Sequence, residues 1–379
     1  MKSEHEIKIW TPATVVMIII MLLGGVILLV RLVKGLGAVT NLNDRFPWGL
    51  WIGIDVLGGV AMAAGGFLIA GAVYILNMKK YRPIVRASIL NAFFGYLLAA
   101  TAITLDIGLP WNIWHPIFMW QIHSVMWIVA IHVVLYTSTL ATESSPMFFE
   151  KLGMEKAANF VHKIIVPVVL FGVLLSTLHQ SSLGAVYLIA ARKLSPFWYN
   201  SQVPTLFLIS AIMMGLSMVS FETILSEKFF KHKADIGILS GLARGVLITG
   251  VIYFAAQLWF LIKGPGMAAA FNGSMEANMY LLEMVISVVG PIILLSVKNV
   301  RENVKRLLFV NVLVISGVLL NRLNISIFGV YRAQSATGLS YFPTWMEFVV
   351  TLAFISFSII GFKVCVKYLR VFPETETQQ

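Results

Sequence analysis

Residues 178–184 read Leu-His-Gln-Ser-Ser-Leu-Gly, inside an otherwise apolar stretch running from about Val161 to Ala190. A His, a Gln and two Ser held in hydrocarbon are costly unless they bind a ligand or pair with one another. Pro167 and Gly184 are the obvious helix breakers of the stretch, so His179, Gln180 and Ser182 ride on one helix wall. Neutral donors and acceptors beside one titratable imidazole suit a carbonyl-bearing, largely apolar ligand that takes up and gives back protons. A quinone answers that description.

The elements that must position such a cluster are membrane spans. The chain has 379 residues, 59% hydrophobic and 12% charged, with a mean hydropathy of +0.86. Soluble domains are about one quarter charged. The apolar runs are continuous rather than alternating, which predicts an all-α, polytopic integral membrane protein. With about 20 apolar residues per crossing, spans are expected near 12–33, 50–76, 86–107, 116–141, 161–190, 203–225, 236–262, 279–297, 306–322 and 344–368. The first run lacks a small-residue cleavage site and reads as a span, not a signal peptide. The whole of 1–379 reads as one transmembrane domain, in which 50–190 and 203–322 could be two four-helix bundles with spans 1 and 10 added. The polar tail, 371–379, is expected to be disordered.

Charge sets the orientation. Every loop on one face is basic: Lys2 and Lys8; Lys79, Lys80, Arg82 and Arg86; Lys151, Lys156 and Lys163; Lys228, Lys231 and Lys233; Lys298, Arg301, Lys305 and Arg306; Lys363, Lys367 and Arg370. The other face holds Arg31, Lys34, Arg45, Arg192, Lys193, Lys263, Arg322 and Arg332. If the chain sits in a prokaryotic inner membrane, the positive-inside rule puts both termini in the cytoplasm. Topology thus accounts for the net charge of +11 without nucleic acid. The 108–116 turn, with two Trp and no Lys or Arg, reads as interfacial on the outer side. A single cysteine, Cys365, excludes a disulfide framework, a Cys-ligated iron–sulfur cluster and covalent c-type haem in this chain.

With that orientation, Asp55, Asp106, His115 and His179 with Gln180 gather towards the outer level of spans 2 to 5. Glu283, Asn321, Arg322 and Glu347 lie at the same face. Two aspartates and two histidines could hydrogen-bond a quinone and relay its protons; equally, Asp106, His115, Glu283 and Glu347 could cap helix ends. Span 4 is read as carrying His115, His123, His132 and Glu143. On an ideal helix His115 and His123 differ by about 80° and His132 faces opposite His123, so they make no single-faced proton wire. A path inward past Tyr96, His123 and His132 would need waters or other helices. The same phase argues against a bound b-type haem. Gly58, Gly59, Gly65 and Gly66 read as close-packing positions, and Glu222 with Arg244 as a structural ion pair between spans 6 and 7.

These motifs resemble the NrfD/PsrC family of quinone-interacting membrane subunits, in particular the branch typified by the hydrogenase-2 membrane subunit HybB. The likeness rests on Trp-Gly-Leu-Trp-Ile-Gly-Ile-Asp at 48–55, Tyr96, His-Gln-Ser-Ser-Leu-Gly at 179–184 and Asn-Arg-Leu-Asn at 321–324. It implies a subunit that is not catalytic alone and carries no haem or iron–sulfur cluster. A ferredoxin-like iron–sulfur partner would dock at the outer face and exchange electrons with menaquinone or ubiquinone. The further subunit would be a hydrogenase, a molybdopterin reductase or a multihaem cytochrome c. The resemblance also implies a pocket in which His179 bonds a quinone oxygen, Asp55 pairs with it or with the substrate proton, and Gln180, Trp51 and Tyr96 shape the walls. The branch tends to carry a Glu in span 4 where this chain has Gln121, which points to a sibling such as the respiratory membrane complexes of sulfate reducers. Two other classes fit the composition. One is a proton-coupled secondary transporter, although paired Gly/Pro-broken helices are lacking; the other is a cofactor-free structural anchor.

Overall fold

In a computed structural model, residues 7–190, 193–230, 235–331 and 340–372 are described. The expected charges at Lys2, Arg192, Lys231, Lys233 and Arg332, and the tail from 373 onward, lie outside them. The described residues are almost wholly helical, with one isolated bridge between Asn43 and Phe46.

Among the described residues, ten helices are long and apolar enough to cross a membrane. They are α1 (Pro12–Lys34), α2 (Trp51–Ile75), α3 (Lys79–Asp106), α4 (Val125–Lys151), α5 (Glu155–Ile189), α6 (Val203–Phe230), α7 (Ile236–Lys263), α8 (Met275–Ser296), α9 (Val304–Tyr331) and α10 (Trp345–Tyr368). Several begin where the sequence supplies a cap for the free N–H groups of the first turn. Thr11, Ser124, Ser274 and Asn303 each accept a backbone N–H, and Thr344 with Glu347 forms a capping box. Pro146 and Pro167 sit inside continuous helices.

The central helices are α2 and α6. Gly65 and Gly215 let their backbones meet: a Cβ on Gly65 would lie 2.8 Å from the Gly215 carbonyl oxygen. Gly66 meets Ala92 of α3 and Gly58 meets Leu319 of α9, whereas Gly59 faces open space. The close-packing role therefore holds at three of the four expected glycines. α3, α4 and α5 pack in sequence and return to α2; α7, α8 and α9 pack in sequence and return to α6; α1 pairs with α10. Four stretches widen into π-helix, at Trp51–Gly58, Gly71–Ile75, Val285–Val289 and Asn324–Phe328.

Three boundaries differ from expectation in ways that matter. α4 begins at Val125, not near 116. Residues 107–124 hold only short turns at Pro110–Asn112 and His115–Phe118, because Pro116 and the Ser124 cap break the apolar run. α9 continues through its π-helical end to Tyr331. The disordered tail cannot start at 371, since Val371 is fully buried against Leu90, Phe94, Met147 and Cys365.

Candidate functional site

α5 delivers its polar run to the interior. His179, Gln180 and Ser176 are completely buried. Gln180 Nε2 donates to the Val60 carbonyl of α2 at 2.9 Å, and Ser182 Oγ donates to the His179 carbonyl of its own helix at 2.9 Å. Gln180 and Ser182 thus fix the wall that carries His179. The imidazole itself has neither nitrogen hydrogen-bonded.

Around it stand side chains from two further helices. The Tyr96 ring of α3 lies 5.5 Å from the His179 ring, the His132 ring of α4 lies 6.2 Å away, and Tyr136 of α4 meets Tyr96 edge-on at 4.5 Å. Ser176, one turn before His179, interacts with both phenols, but none of the three hydroxyls meets hydrogen-bond geometry. The buried oxygens of Tyr96, Tyr136 and Ser176, the Oε1 of Gln180, Nδ1 of His132 and both His179 nitrogens all lack a protein partner. Native interiors leave few such groups unsatisfied. Seven at one place, with no formal charge among them unless a histidine is protonated, form a constellation that a neutral ligand with hydrogen-bonding oxygens, or water, would complete.

Asp55 and Trp51 make their hydrogen bonds to α10. Asp55 Oδ2 accepts from Thr351 Oγ1 of α10 at 2.7 Å, and Trp51 Nε1 donates to the Glu347 carbonyl at 3.2 Å. The expected pairing of Asp55 with His179 gives way to a second cluster, nearer the weakly charged face and between α2, α3 and α10. There Tyr341 donates to Glu347 Oε1 at 2.5 Å and to no carboxylate of the His179 group. Burial and the adjacent Glu347 raise the Tyr341 hydroxyl well above the ordinary phenol range. Asp106 belongs here, close to Glu347 and Arg31. Arg31, counted as a loop charge, is buried and caps the C-terminal carbonyls of α3 at Leu105 (2.6 Å) and Ile107.

The expected proton residues also separate. His115 meets Trp114 edge-on in the 107–124 segment, and His123 and Gln121 are exposed there. None of the three lies on α4, so the helical phase assigned to His115 and His123 does not apply. His132 and Glu143 are both on α4. Glu222 and Arg244 do not pair: among the described residues no salt bridge joins them, Glu222 interacts with Asn91, and Arg244 is exposed.

A buried acid–base group in the other half went unrecognised as a unit. Glu283 accepts from Trp198 Nε1 (2.9 Å), Asn321 Nδ2 (2.7 Å) and Asn324 Nδ2 (2.7 Å). Arg322 donates to Asn321 Oδ1 (2.8 Å) and Ser210 Oγ (2.9 Å) and lies over the Phe207 ring. Asn321 therefore links the two charges. Three N–H donors on one carboxylate, with the guanidinium joined through Asn321, leave this group satisfied by its own partners.

A family profile described as "Polysulphide reductase, NrfD" matches residues 38–333. The chain belongs to the NrfD family. That NrfD profile spans α2 to α9, and with them the His179 and Glu283 groups. A protein of Nitratidesulfovibrio vulgaris (strain Hildenborough) is 38% identical over 93% of this chain and 92% of its own length. The probable Ni/Fe-hydrogenase 2 b-type cytochrome subunit of Escherichia coli K12 is 32% identical over 90% of this chain and 88% of its own. The menaquinone reductase integral membrane subunit of Nitratidesulfovibrio vulgaris is 26% identical over 90% of this chain and 87% of its own.

Proposed function

We propose that this NrfD-family chain is the quinone-reactive membrane subunit of a respiratory oxidoreductase complex. Electrons would pass between a partner's iron–sulfur clusters and menaquinone or ubiquinone. The observation that carries the reading is the set of buried, unpartnered polar atoms around His179. Relatives named as a menaquinone reductase subunit and a menaquinol oxidoreductase subunit favour menaquinone. Relatives in hydrogenase and selenate reductase complexes favour a separate catalytic partner.

In this account a nitrogen of His179 bonds one quinone oxygen, and Tyr96 or Tyr136 donates to the other. Gln180 and Ser182 act through the wall they hold. His132, its ring 6.2 Å from that of His179, hands protons to and from the site. His179 lies ten residues before the end of α5 at Ile189, about 15 Å along the helix. The site is thus well below the face to which the partner is assigned. That face is the weakly charged one, which the charge rule makes the outer side, with both termini in the cytoplasm. Asp55 and Trp51, bonded to α10, and Asp106 lie above the ring on the side of the partner.

The test is quinone content. The complex purified through a tag on this chain should carry one equivalent of extractable quinone, and His179→Ala should lose it while the complex stays assembled. Quinone retained in that variant would move the site elsewhere. A secondary transporter would instead move solute when the chain is reconstituted alone, and a structural anchor would carry no stoichiometric quinone.

A further inference from the structure

Where α6 begins and α7 ends, the two helices enclose a groove of about 480 Å³, within the range of ligand sites, about 300–1,000 Å³. Leu206, Ala256, Trp259 and Phe260 form its apolar length, and Ser201, Gln202 and Thr205 form a polar rim. The rim stands at the weakly charged face, since Ser201 and Gln202 precede α6 and Thr205 lies in its first turn. Ala256 lies seven residues, about 10 Å, deeper along α7 than Lys263, the last residue of that helix. The groove therefore runs from headgroup level into the hydrocarbon. It opens sideways to lipid: Trp259 is 58% exposed, and Ile248, Ile252 and Ile262 continue the same exposed apolar face of α7.

Lys263 supplies a cation at the polar end. Its Nζ sits 5.1 Å from the centroid of the Trp259 ring, a cation–π distance, so the ammonium is held over a wall of the groove. No acid competes for it. The sequence has no Asp or Glu from 236 to 275, and Lys263 makes no salt bridge among the described residues. Thr205 Oγ1 donates to Gln202 Oε1 at 3.2 Å, which leaves the Gln202 amide nitrogen as a donor at the rim. A cation, neutral donors and an apolar trough together match a phosphate joined to acyl chains. Behind the groove, a cavity lined by residues that include Val203, Tyr253, Gln257 and Asn321 measures only about 10 Å³, room for about one water. A ring-shaped headgroup finds no chamber there, so the occupant lies along the helices.

We propose that this groove binds one anionic glycerophospholipid of the surrounding leaflet. The phosphate pairs with Lys263 and accepts from Gln202 and Ser201, and one acyl chain lies along Leu206, Ala256 and Trp259. The site is separate from the His179 group and does not depend on the quinone reading. Leu206 lines both the groove and the small cavity beside Trp198 and Asn321. The lipid thus braces α6 and α7 next to the Glu283 group.

The experiment photolabels the intact complex with a phosphatidylglycerol that carries a diazirine in one acyl chain, and maps the labelled peptides by mass spectrometry. Labels should concentrate on 201–206 and 256–263. Unlabelled phosphatidylglycerol should displace them about fivefold better than phosphatidylcholine, the factor one cation contributes beside a charged membrane surface. Lys263→Gln, at an exposed side chain, should bring the two lipids level. Thr205→Trp, which fills the groove, should remove the labels from both segments. Labels spread evenly over the lipid-facing helices, or a phosphatidylglycerol preference that survives Lys263→Gln, would overturn the site. Displacement by menaquinone as effective as by phosphatidylglycerol would overturn it too, and would give the groove to a quinone tail.

Discussion

Gly172→Ala tests the contact between α4 and α5 on which the site's geometry depends. The new Cβ would lie 2.9 Å from Glu143 Oε1 and 3.2 Å from Thr139 Cγ2, while ordinary contacts begin near 3.4 Å. Either the carboxyl swings away or the helices part by several tenths of an ångström. Overpacking of this kind costs about 1–3 kcal/mol, against a helix-propensity gain of up to about 1 kcal/mol for replacing glycine. The substitution should therefore destabilise the wild type modestly. In a Glu143→Ala background the close oxygen is gone and the propensity gain should dominate. The coupling between the two sites should be about 1–2 kcal/mol, within the range for side chains in contact. Unfolding midpoints of the four proteins in one detergent system measure it. An equal shift from Gly172→Ala in both backgrounds would show that Glu143 does not occupy the groove at Gly172.

Asp55→Asn should leave turnover within about threefold of wild type, because Asn can still accept from Thr351 and neither His179 nitrogen is hydrogen-bonded to Asp55. A hundredfold loss in steady-state rate would put Asp55 back in the reacting site. Asn321→Ala removes the bridge between Glu283 and Arg322, and hydrogen bonds to charged groups contribute about 1.5–3 kcal/mol each. Its unfolding midpoint should fall sharply, while Arg244→Gln, at an exposed and unpaired cation, should leave the midpoint unchanged. The purified chain should show no Soret band in its visible spectrum, whereas a bis-histidine haem would give one.

Much of the architecture was legible because hydrocarbon constrains composition: ten apolar runs separated by charge or turn residues became ten helices. The start of α4 was misread because Ile117, Phe118, Met119 and Trp120 are as apolar as a span. The stop signals, Pro116 and the Ser124 cap, were weaker than the hydropathy around them. His179, Gln180 and Tyr96 stood out as polar groups in apolar surroundings. Tyr136 and Ser176 did not, since a Tyr or a Ser in a membrane helix is common. Spacing could have found them, because the run 132, 136, 139, 143 and the run 172, 176, 179 share one helical period. The partner of Asp55 could not be read at all. Thr351 is nearly three hundred residues away, and only packing of α10 on α2 brings it within 2.7 Å. Glu222 and Arg244 failed for the related reason that equal depth on adjacent helices does not make two side chains face each other.

The most direct measurement is a menaquinone-analogue titration of the purified complex, following the oxidation state of its iron–sulfur clusters in wild type and His179→Ala. The account predicts that added quinone reoxidises the reduced clusters in the wild type and leaves them reduced in the assembled variant. Clusters reoxidised equally fast in both would contradict it, and the polar run of α5 would then serve only to hold helices together.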